Sequence, residues 1–69
     1  MSNNIPEELE LEAIRMAEDC VEFGEVNTTR LAENLAHHFG HDEWLDDSDH
    51  PVWEAALFAE SYHLSRLDN

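Results

Sequence analysis

The sequence contains no lysine. Arg15, Arg30 and Arg66 are its only permanent cations, set against 17 aspartates and glutamates in 69 residues, for a formal net charge of −14. Phosphate binding needs lysine and arginine, so direct binding to nucleic acid or to an anionic membrane surface is excluded as a reading. A single cysteine, Cys20, excludes an intrachain disulfide, and small secreted domains usually lean on several. The expectation is a reducing, cytoplasmic setting. The opening Met1-Ser2-Asn3-Asn4-Ile5-Pro6 has neither the basic region nor the apolar run of a signal peptide. No stretch approaches the roughly 18 apolar residues of a membrane span. The two glycines, Gly24 and Gly40, are too few and too far apart for a phosphate-cradling loop.

What is present argues for one folded domain. Sixty-nine residues bury only about 60% of their unfolded surface, so the core is small. Hydrophobic residues make up 42% of the chain, too many for a disordered acidic tail. Six aromatics, Trp44 and Trp53 among them, can fill such a core. A charge of −14 exceeds the roughly 2–8 that solubility requires, and its self-repulsion works against compaction.

The hydrophobic spacing predicts an all-α domain over residues 1–69: three helices, with an acidic loop between the second and third and a frayed polar start at residues 1–4. The first helix is expected from Pro6 to Phe23, with Gly24 just past its end. Glu7, Glu8, Glu10 and Glu12 crowd its N-terminal end, where the helix dipole favours negative charge. Leu9, Ala13, Ile14, Met16, Ala17, Cys20, Val21 and Phe23 share one half of that helix, and Leu11 and Arg15 sit within the acidic half. The second helix is expected over Thr28–Phe39, with Asn27 as N-cap, a Val26–Leu31 staple and Gly40 as the left-handed stop. The loop HDEWLDDSDH should hold a helical turn at Asp42–Leu45 that folds Trp44 or Leu45 onto the core. The third helix should start near Pro51, capped by Ser48 or Asp49, and run to about Leu67. Val52, Trp53, Ala56, Leu57, Ala59, Leu64 and Leu67 leave it a narrow polar wedge of Glu54, Ser61 and Ser65. It should therefore be central, or form a homodimer seam. No strand-like alternation stands out.

Candidate chemistry is sparse. His37 and His41 are four apart, but Gly40 interrupts the helix between them, and the five histidines match no established metal signature. The run Asp46-Asp47-Ser48-Asp49 lacks the glycine and spacing of a calcium loop. Glu60 projects onto the apolar side of the third helix, where a carboxylate needs a partner: His63, Arg30 or His38. Cys20 falls on an apolar face, where a thiol is inert, and Ser61 and Ser65 have no base-and-orienter set. No catalytic residue, metal ligand or cofactor is assigned, and an enzyme is the least favoured class. Val26–Ala32 has the look of a helix-turn-helix entry, yet a DNA reader would carry a basic face.

The charge itself remains. Acids three and four apart on a helix lie about 5–6 Å from one another, similar to successive phosphates. Glu8, Glu12, Asp19 and Glu22 would form such a row, with Glu18 beside it. Asp42, Glu43, Asp46, Asp47 and Asp49 could continue it, and Trp44 and Leu11 would serve as apolar anchors. A row of this kind can occupy a basic groove that normally holds DNA or RNA, drawn there by electrostatic steering.

In charge, size and helicity along its whole length, the chain resembles the small acidic helical inhibitors of phages and mobile elements: DNA-mimic antirestriction proteins and some anti-CRISPR proteins. The resemblance implies inhibition by blocking a nucleic-acid channel, and it carries over no individual residue. The expected partner is a basic, nucleic-acid-binding protein. The competing expectation is a generic acidic protein or small adaptor whose charge reflects a salt-rich cytoplasm.

Overall fold

The computed structural model describes residues 5–67, without the side chain of Leu67; the expected fraying at residues 1–4 lies outside the described part. Three helices pack together: α1 (Glu7–Ala17), α2 (Thr28–Phe39) and α3 (Pro51–Leu67). A two-stranded antiparallel hairpin, β1 (Val21–Glu22) and β2 (Glu25–Val26), joins the first two. The all-α expectation holds for the architecture, with this small sheet as an addition.

The first helix is shorter than its periodicity predicts. It begins after Pro6, with Glu7, Glu8 and Glu10 in its first turn, and ends at Ala17 rather than Phe23. A 3₁₀ turn over Glu18–Cys20 follows, and then the hairpin. The cause lies in the turn. Phe23 (φ 56°) and Gly24 (φ 83°) are both left-handed, as the two central residues of a type I′ hairpin turn must be. The flanking sequence is a palindrome, Val-Glu-Phe-Gly-Glu-Val, and the register follows it: Val21 opposite Val26, Glu22 opposite Glu25. The Asn27 amide donates to the Cys20 carbonyl at 2.9 Å and closes the base.

The second helix has the expected bounds. Asn27 Oδ1 accepts from the Arg30 amide at 3.1 Å, satisfying one of the free N–H groups of the first turn. At the other end Gly40 adopts φ 72°. The His41 amide reaches back to Ala36 O at 2.9 Å and the Gly40 amide to His37 O at 3.1 Å, a Schellman stop. The chain then makes a 3₁₀ turn over Asp42–Asp46, with Trp44 and Leu45 packed against the core as anticipated.

The third helix has the predicted bounds but a different cap. His50 Nδ1 accepts from the Val52 amide at 3.0 Å. Asp47 Oδ1 instead accepts from the Asp49 amide at 3.0 Å, a local turn that leaves His50 as the residue next to Pro51.

The chain runs up, down and up. Leu9 near the start of α1, Phe39 at the end of α2 and Pro51 at the start of α3 line one hollow; Glu60 of α3 lines another with the hairpin. The third helix packs against both others, as each of them also does, so it is not singled out as central. It buries only one face: Val52, Ala55, Ala56 and Ala59, while Leu57 and Leu64 are about half exposed. All seven alanines of the chain are buried, whereas six large apolar residues among those described are left outside. Small side chains at the helix contacts let the backbones approach closely, and larger ones are displaced outward. Val21 and Phe23, assigned to the buried half of the first helix, are among those displaced.

Candidate protein-binding surface

No charged residue of the described chain is buried. The acids do not form one row, because α1 spans only about 16 Å and the hairpin turns the chain away from its axis. They gather instead at the two ends of the bundle. Glu8 lies with Asp42, Glu43, Asp46, Asp47 and Asp49 at the end where α2 stops and α3 starts. Glu18, Asp19 and Glu22 lie at the hairpin end, joined by Glu25 and, from α3, Glu60.

Three of the expected binding acids are already engaged by other side chains. Glu12 sits between the two groups, with its side chain only 13% exposed, paired with Arg15 at 3.3 Å and with His38 Nε2 at 3.7 Å. Glu22 accepts from Arg30 at 3.0 Å and from Asn27 Nδ2 at 3.2 Å. This pairing offsets the repulsion from Glu25 directly across the hairpin. Glu43 accepts from His41 Nδ1 at 2.9 Å. A hydrogen bond from its own backbone, and then the one from His41, hold its carboxyl below the ordinary value of 4.5. Glu8, Glu18, Asp19, Asp42, Asp46, Asp47 and Asp49 are exposed.

Trp44 is not a free anchor among the acids. Its ring stacks on His41 (centroids 4.9 Å apart) and on His50 (4.6 Å), and meets Phe39 at 5.8 Å. His50 also accepts from the Val52 amide, so one ring serves both the stack and the start of α3. Trp53 Nε1 donates to Asp47 O at 3.1 Å and ties the acidic loop to α3. A hollow of about 310 Å³ lies beside this cluster, lined by Pro6, Glu8, Leu9, Phe39, His41, Trp44, His50 and Pro51.

Leu11, the other expected anchor, is 58% exposed over a hollow of about 370 Å³ shared with Glu8, Glu12, Arg15, His38 and Phe39. Glu60 does not find the partners proposed for it on α2, since Arg30 is held by Glu22 and His38 by Glu12. His38 is exposed. Cys20 is buried, with Asn34 Nδ2 at 3.3 Å from its sulfur. Among the described residues no three His, Cys, Asp or Glu side chains stand close enough to hold a metal ion, and no helix is long and apolar enough to cross a membrane.

The residue that sequence reasoning missed is Phe23. It is 103% exposed at the hairpin tip, beside a hollow of about 240 Å³ lined by Glu22, Glu25, Val26, Asn27 and Glu60. The palindrome around Phe23-Gly24 was the signal that could have found it. No protein-family model, curated protein or solved structure matches the chain.

Proposed function

We propose that this protein binds a positively charged protein surface and occupies a site that otherwise holds nucleic acid. One observation carries the reading. The charge of −14 is directed outward: no described acid is buried, and two of the three arginines are tied to neighbouring glutamates. Such a field steers a small protein toward a basic groove and repels nucleic acid and anionic membranes. The chemistry is binding rather than catalysis. The partner class is a nucleic-acid-handling complex, of the phage-defence kind that the resemblance to acidic inhibitors implies. A homodimer through α3 would use the exposed Leu57 and Leu64, and sedimentation velocity decides it.

The test is a set of binding titrations against purified basic nucleic-acid-binding complexes, with duplex DNA as competitor. Glu12 and Glu22 are poor sites for charge reversal because both support the fold. Glu18→Lys and Asp19→Lys, combined with Asp46→Lys, change exposed acids at both ends. Binding should weaken at least about tenfold in the triple variant, fall with salt and be displaced by DNA. Binding that survives both reversal and salt overturns the proposal. Circular dichroism from about 0.05 to 3 M NaCl separates the salt-adaptation alternative, which requires folding only near molar salt.

A further inference from the structure

We infer that Phe23 is the anchor of the interface: its ring enters an apolar surface bordered by lysine or arginine on the partner, the chemistry of an amphipathic basic helix. The inference rests on the reading that the partner is a basic protein, and it names the contact.

Two costs meet at this residue. A non-glycine residue at φ 56° is disfavoured sterically, and a type I′ turn is best served by Asn or Gly at this place. The side chain is also fully exposed, so its ring gains nothing from the core. A folding requirement explains neither cost, since Asn would build the same turn with less strain and no exposed ring. The other large apolar residues outside the core are a weaker case. Leu11, Leu57, Tyr62 and Leu64 are 42–58% exposed on regular helices, with no backbone strain.

The surroundings select the occupant. Glu22 and Glu25 flank the ring on the two strands, and Glu60 lines the adjoining hollow. Arg30, the cation that reaches the hairpin, is held by Glu22. An apolar centre with an anionic rim calls for an apolar centre with a cationic rim, the layout of an interface hot spot. A second copy of this chain would bring two such rims together, and an anionic membrane would meet the same repulsion.

The experiment uses two fluorescein-labelled peptides of equal charge: a Leu/Lys amphipathic helical peptide and an oligolysine with the same number of lysines. Each is titrated by fluorescence anisotropy with the wild type, Phe23→Asn, and a Glu18→Lys/Asp19→Lys/Glu25→Lys variant. Phe23→Asn should bind oligolysine as the wild type does and the amphipathic peptide about tenfold more weakly. Its Tm should rise by about 4 °C as the turn relaxes, so lost binding cannot be lost folding. Unchanged affinity of Phe23→Asn for the amphipathic peptide overturns the anchor, as does an equal loss for both peptides. The charge-reversal variant should lose affinity for both. If it loses neither, the acidic-surface reading fails as well, whereas a negative result for Phe23→Asn alone leaves that reading standing. Self-association of the wild type that Phe23→Asn abolishes would assign the ring to a second copy and overturn the proposal.

Discussion

The two ends of the bundle each place an aromatic ring among acids, and they treat it in opposite ways. At the end where α2 meets α3, Trp44 stacks on two histidines, packs near Phe39 and is half-buried. At the hairpin end Phe23 is bare. The nearby acids do not divide in this way: Glu43 is held by His41 and Glu22 by Arg30 and Asn27, while exposed acids such as Asp46 and Glu25 remain at both ends. An aromatic within an acidic segment is therefore not by itself an interface residue. What decides is whether flat, polarisable neighbours lie within a few residues of it. His41 and His50 do so for Trp44, and nothing equivalent flanks Phe23. One end spends its ring on holding the loop, and the other presents its ring to solvent.

The largest effect that would break this contrast is Trp44→Ala. Removing the indole strips the stacking from both histidines and uncovers Phe39, at a cost of about 3 kcal/mol. A chain of this size has about 3–10 kcal/mol in total, so the variant should lose a large share of its stability. Phe23→Ala should stay within about 0.5 kcal/mol of the wild type. Urea melts of the two variants compare the ends directly. Equal losses would mean that Phe23 has a packing role which its exposure conceals.

Smaller effects should come from the helix caps, one at each end. Asn27 caps α2 and also donates to Glu22 of the hairpin. Asn27→Ala should cost about 1–2 kcal/mol, with the hairpin contact placing it toward the upper value. His50 caps α3 through Nδ1 and stacks on Trp44. His50→Ala should cost about 1 kcal/mol for the cap, and more if the stacking contributes. His50→Asn separates these parts, because Asn keeps the capping acceptor and removes the ring. Full recovery in His50→Asn would show the stack to be energetically idle, which would weaken the contrast between the ends.

The second and third helices were legible because their signals are local. Asn27, Gly40 and Pro51 each act within one turn, through hydrogen bonds or φ values that a short stretch of sequence specifies. The end of the first helix was not legible for a related reason. Leu9, Ala13, Ala17 and Cys20 keep a helical spacing, so periodicity runs smoothly past Ala17, where the α-helix stops. Each strand has two residues, too few to reveal an alternation of period two. Gly24 suits a helix stop and a hairpin turn equally, and only the mirrored Val-Glu and Glu-Val around it favours the hairpin. The cap at His50 was hidden because Ser48 and Asp49 are commoner capping residues, and the Asp47 turn that displaces them depends on how Trp53 anchors the loop. The acids were legible as a composition but not as a row, since their alignment assumed one continuous first helix.

The smallest expected effect concerns Glu43 and sharpens the comparison at the Trp44 end. Its carboxyl lies below the ordinary value of 4.5, first through a hydrogen bond from its own backbone and then through His41. A folded-state value below the unfolded one means that the ionised form is favoured by folding. The contribution is fully present above the ordinary value and is lost as pH falls through the lowered one. Glu43→Gln removes the titrating group, so the two proteins should differ slightly in Tm at neutral pH and converge on acidification. The carboxylate is exposed, so the difference should be smaller than that of either cap and should shrink in molar salt. If wild type and Glu43→Gln instead stay parallel across the acid range, the folded value is not lowered and the tie to His41 is not made in solution. The order at that end would then rest on Trp44 and its two histidine contacts alone, and Glu43 would be as available to a basic partner as Asp46 and Glu25.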